Sequence, residues 1–138
     1  MATRAQIRAA LKVRLDTIAG WQGAYAVVPD SAAVPCYAIG PPARGTVRTA
    51  DITIGGGSLW WFGIRVYVAR GDLRSAQETL DPYLDESGAQ SVQAAIYGDQ
   101  RLGGLVNWTR IQEVRDEGVY VIADTSYYGA EILVSVSA

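Results

Sequence analysis

The sequence predicts an α+β domain: a mainly antiparallel or mixed sheet, with an N-terminal helix and a helical crossover packed on one face. Three observations carry this. Trp60, Phe62, Ile64, Val66 and Val68 recur at every second position, the period of a strand. Ile7, Leu11, Leu15 and Ile18 recur at helical spacing. Two further helical patterns lie between Asp72 and Gly98, and more strands follow them.

A chain of 138 residues is the size of one domain. A single unit over residues 1–138 is therefore expected, with a flexible arm at about residues 40–58. Half the residues are apolar (49%), so a chain of this size can bury a core without disulfide or metal. The N-terminal segment lacks the apolar stretch of a signal peptide, and no apolar run is long enough to span a bilayer.

Thr3 and Gln6 fit a capping box ahead of the first helix. Gly20 suits a left-handed cap, with Trp21 packing back over the last turn. Tyr25–Val28 and Cys36–Ile39 read as short strands, the second entered through Pro35. Gly40–Ser58 reads as the arm, with a protruding hairpin suggested by Val47, Ile52 and Ile54. Its Gly55-Gly56-Gly57 is no phosphate loop, because Ser58 opens a strand and no lysine is near.

Leu59–Ala69 is the clearest strand. Its second face carries Leu59, Trp61, Gly63, Arg65 and Tyr67. So aromatic a face is either covered by this chain or kept for a partner, and the sequence leaves both open. Asp72 caps a helix striped by Leu73, Ala76, Leu80 and Leu84, with Pro82 expected to kink or restart it. Gly88 fits its C-cap. Ser91 caps a shorter helix with Val92, Ala95 and Ile96 inward and Gly98 as its stop. Asp81, Asp85 and Glu86 read as a solvated face rather than a carboxylate site. Three strands close the chain as an antiparallel meander: Leu105–Val114, Val119–Ala123 and Tyr128–Ser137. The turns between them are Arg115-Asp116-Glu117-Gly118 and Asp124-Thr125-Ser126.

The chemistry is mostly exclusion. There is no histidine, which removes Ser-His-Asp and Cys-His machinery and Cys/His zinc sites. The one cysteine, Cys36, reads as a small core residue. A net charge of −2 gives no basic field for nucleic acid. No catalytic, cofactor-binding or metal-ligating residues are proposed from the sequence, and no cofactor is expected.

The order of elements and several phrases resemble the tail terminator proteins of long-tailed bacteriophages, also called minor tail or tail-completion proteins. The features are the opening helix Ile7–Ile18 and the glycine-rich arm before a long aromatic strand. Leu80-Asp81-Pro82-Tyr83-Leu84, Gly88-Ala89-Gln90-Ser91-Val92, Leu102-Gly103-Gly104 and Tyr127-Tyr128-Gly129-Ala130-Glu131 complete the set. The resemblance spans essentially the whole chain.

It implies a structural virion protein, not an enzyme. Copies would form a ring, expected as a hexamer, that caps the tail tube, stops its polymerisation and offers the joining surface to the head connector. The expected partners are the chain itself, the tail tube protein, and the head–tail connector or head-completion protein. DNA would pass through the lumen without sequence-specific contact, and no membrane is involved. The expected location is the virion, at the head–tail junction, after assembly in the host cytoplasm. The candidate interface residues are Arg44, Arg48, Asp51, Trp61, Arg65 and Tyr67. Two alternatives stay open. One is another ring-forming neck or head-completion protein. The other is a small-molecule-binding domain or enzyme, built on an aromatic pocket of Trp60, Trp61, Tyr67 and Trp108.

Overall fold

The first helix, α1 (Arg4–Leu15), begins where the capping box predicts. The Thr3 hydroxyl accepts from the Gln6 N–H, and the Gln6 side chain accepts from the Thr3 N–H at 2.9 Å. Those bonds satisfy N–H groups that every helix start leaves open. The computed structural model describes residues 2–25, 34–41, 50–52, 58–122 and 124–138. Ile7, Leu11 and Leu15 are buried, as is Ile18 just beyond the helix end. Gly20 is left-handed, with φ +96°, and Trp21 folds back to donate from Nε1 to the Leu15 carbonyl at 3.0 Å.

The strands are β1 (Gly23–Tyr25), β2 (Cys36–Gly40), β3 (Ala50–Ile52), β4 (Ser58–Ala69), β5 (Trp108–Ile122) and β6 (Thr125–Ser137). Two helices, α2 (Leu73–Leu84) and α3 (Val92–Tyr97), lie between β4 and β5. The sheet order is β1-β2-β4-β6-β5. β6 pairs with β4 along its length, so β3 sits on the other edge of β4, beyond the end of β2. β1 and β2 are parallel; the other described pairs are antiparallel. The α2–α3 segment thus carries the chain from β4 over β6 to β5, the expected crossover. The fold is α+β, as the sequence predicts.

The helices cover one face of the sheet. Tyr37, Ile39, Phe62, Ile64, Val66, Val68, Ala130, Ile132, Val134 and Val136 pack there against Ile7, Leu11, Leu15, Leu80 and Ile96. Each fully buried aliphatic or Phe side chain is worth about 1.5–3 kcal/mol relative to exposure. Trp21 stacks on Tyr83 at 4.8 Å and meets Tyr37 edge-on at 5.0 Å, tying α2 to the end of α1.

Two local expectations need correction. The closing meander is a single hairpin. Arg115-Asp116-Glu117-Gly118 makes no turn but a bulge, one extra residue on β5 between the pairs Arg115↔Glu131 and Gly118↔Gly129. Asp116 takes a left-handed φ of +56° there, which its short polar side chain tolerates. A second bulge separates Ile111 from Glu113. Pro82, in turn, does not interrupt α2, which runs on to Leu84. It sits in the last turn, where the missing N–H costs one bond and no later turn must be rebuilt. Gly88 is left-handed at φ +113°, but the cap of α2 is Asp85. The predicted hairpin around Val47 and Ile54 lies outside the described residues, although Ile52 pairs with Ser58.

Candidate functional site

The sheet face away from the helices is chemically unlike the first. Alternate residues of three neighbouring strands place Arg65, Glu131 and Arg115 in one row, directly opposite each other across β4, β6 and β5. Glu131 is fully buried. Its Oε1 accepts from Arg115 Nε at 2.8 Å and lies 2.8 Å from Arg115 Nη2. Its Oε2 lies 3.5 Å from Arg65 Nε. Arg115 also reaches Glu113 at 3.1 Å and Asp116 at 3.9 Å. Gly63 makes room for this carboxylate: a Cβ there would stand 2.6 Å from Glu131 Oε2.

Burial pulls the Arg115 guanidinium down, but the hydrogen bonds and charges of Glu131 and Glu113 together outweigh it and hold it above the usual arginine range. A carboxylate so buried requires partners, and two arginines supply them. The network locks three strands in register. Its charges answer one another, and it offers no free base or nucleophile.

Further along the same face, Tyr67 packs between Tyr120 (centroids 5.5 Å apart) and Tyr127 (6.2 Å), over the buried Cys36. Burial pushes the Tyr67 and Tyr120 hydroxyls above the usual tyrosine range. Burial likewise raises the Cys36 thiol to about 11, so it is not a thiolate nucleophile near neutral pH.

These facts place the predicted interface residues. Tyr67 is only 2% exposed and is sealed by this chain's own tyrosines, so the expectation that it meets a neighbour is corrected. Trp61 and Arg65 are half-buried on the same face. Asp51 lies in β3 opposite Leu59. Arg44 and Arg48 fall outside the described residues. The aromatic pocket of Trp60, Trp61, Tyr67 and Trp108 is not assembled. Trp60 packs against the helix-side core, Tyr67 packs in the opposite cluster, and Trp108 is 40% exposed on β5.

Sequence reasoning missed a different surface. β5 ends the sheet, and the helices do not cover its outer part. Val114, Val119 and Val121 are exposed there at 42%, 47% and 67%. Tyr97 accepts from the Ile111 N–H at 2.9 Å and Gln100 donates to the Thr109 carbonyl at 3.4 Å, so α3 and the turn after it guard only the first part of this strand. The signal was present: Val119 and Val121 stand at alternate positions of a strand that ends the sheet. Seeing their exposure required the strand order.

A hollow of about 250 Å³ lies between α1 and the turns after α3, lined by Ala10, Val13, Arg14, Asp99, Leu102 and Gly103. Its two charged residues are engaged, Arg14 with the Ala95 carbonyl and Asp99 with the Gly103 N–H. Among the described residues no three potential ligands gather to hold a metal ion, and no helix is long and apolar enough to cross a membrane. No protein-family model matches the chain, and no curated protein matches it.

Proposed function

We propose that the chain is a structural virion protein of the tail terminator kind, working as a ring of copies that caps the tail tube and presents a joining surface to the head connector. The observation that carries this reading is the exposed valine strip of β5, an apolar margin along the end of the sheet. Such a strip costs solubility unless another protein covers it. The resemblance of its phrases to those of tail terminators is what suggests this particular assembly. The proposed partners are further copies, the tail tube protein and the connector. The proposed place is the head–tail junction of the virion.

The test is made on particles. Deleting the gene from a matching phage is expected to leave tails of uncontrolled length, or tails that fail to join heads. Normal infectious particles would overturn the reading. Loss confined to the head, with this chain found on tail-less heads, would favour a neck or head-completion protein instead.

A further inference from the structure

The helix layer is electrically polar, and among the described residues its two poles match each other better than anything beside them. At one pole, Arg4 lies over the Phe62 ring at 5.1 Å, and Arg8 follows one turn later on α1. Neighbours at that spacing repel when both are cationic. Arg4 Nε and Nη2, Arg8 Nε and Trp60 Nε1 are all shut off from water with no hydrogen-bond acceptor. Thr109 Oγ1 is the remaining unmet buried side-chain atom among the described residues. It belongs to the same end of the sheet, since Trp60, Val136 and Thr109 form one row across β4, β6 and β5. These atoms are sealed, so they leave the guanidinium charge at this corner without an internal acceptor. Both side chains are half-buried, and the nitrogens left for an outside carboxylate are Arg4 Nη1 and the two terminal nitrogens of Arg8. The first turn of α1 carries no acid to offset them.

The other pole is acidic. Asp81, Asp85 and Glu86 are exposed at the end of α2, where no basic residue stands in the last turn. Asp81 acts on the Tyr128 hydroxyl, which donates to exposed Glu117 at 2.6 Å. Tyr128 pairs with Val68, six residues along β4 from Phe62, so the two poles are about 20 Å apart. The acids sit at a helix C-terminus and the arginines at a helix N-terminus, each against the local helix dipole. Among the described residues no ion pair compensates either placement.

We propose that copies join head to tail, with Arg4 and Arg8 of one copy receiving Asp81, Asp85 and Glu86 of the next. A contact between two different patches is heterologous, and it closes into a ring where the rotation between copies brings the last back to the first. This deepens the ring reading above and rests on it. It assigns the contact to surfaces outside the residues first suspected.

The test is a charge exchange in the full chain, read by sedimentation velocity at low and high salt. Wild-type protein is expected to associate at low salt and to weaken as salt screens the contact. R4E/R8E and D81R/D85R are each expected to associate at least about ten-fold more weakly. An equimolar mixture of the two is expected to recover association, with both variants in every complex by native mass spectrometry. That recovery separates a lost contact from a lost fold, because misfolded chains are not rescued by mixing. Variants that assemble like wild type, a mixture that does not recover, or a wild type that stays monomeric at low salt would each overturn the contact. Failure here, with tails still uncontrolled in the deletion phage, removes this contact and leaves the terminator reading. Success here with normal tails does the reverse.

Discussion

The two faces of this sheet are built from alternate residues of the same strands, yet they are organised by different physics. The helix-side face is apolar and closes by area: Phe62, Ile64, Val66 and Val68 meet Leu11, Leu15 and Leu80 with few directional demands. The opposite face closes by pairing, with Glu131 held between Arg65 and Arg115 and a tyrosine cluster beside them. Area is forgiving of exchange among apolar residues. A buried charge is not, because losing one partner strands the others.

The sharpest way to break this contrast is Glu131→Ala. It leaves Arg65 and Arg115 facing each other and is expected to cost roughly 3–5 kcal/mol in denaturant unfolding. Glu131→Gln keeps the shape and should recover part of that loss. On the helix side, Leu11→Ala is expected to cost about 2–5 kcal/mol through the lost area and the cavity left behind. Gly63→Ala pushes a methyl against Glu131 Oε2 and is expected to cost about 1–3 kcal/mol, more than the same exchange at an open glycine such as Gly118.

A further effect is a dependence on alkaline pH. Burial raises the Cys36 thiol to about 11, whereas an unfolded thiol titrates near ~8.5. The stability tied to the protonated thiol is therefore intact below the unfolded value. It is lost as pH rises from there through the folded value, on the order of 3 kcal/mol. Melting temperatures between pH 8 and 11 should fall for wild type and fall less for Cys36→Ala. The buried Tyr67 and Tyr120 hydroxyls, also raised, add to the alkaline loss in both proteins. The smallest expected effect on folding is that of Val121→Ser, within about 0.5 kcal/mol because the side chain is 67% exposed. The same change should weaken assembly if the β5 strip is a contact.

The contrast also explains what could be read in advance. The core positions of α1, β4 and β6 follow from local period alone, as do the caps at Thr3, Asp72 and Ser91. None of these needs a distant partner. The second face does. Nothing near Glu131 in sequence announces that Arg65 and Arg115 will lie in its row; strand order and register decide it. The aromatic second face of β4 suggested two fates, and the structure divides them: Tyr67 is sealed, and Trp61 is half-buried. The stretch Arg115-Asp116-Glu117-Gly118 has the composition of a turn, and only pairing with β6 turns it into a bulge. The exposure of the β5 valines could not be read in advance, because their position at the end of the sheet is a property of topology.

The central claim is that the chain acts by covering the end of a tube and making no chemical change. Purified tail tube protein, polymerised with and without this chain and viewed by electron microscopy, tests it most directly. The account predicts short tubes of narrow length distribution, each with a ring of this chain at one end. Tubes of unchanged length with bare ends would contradict it.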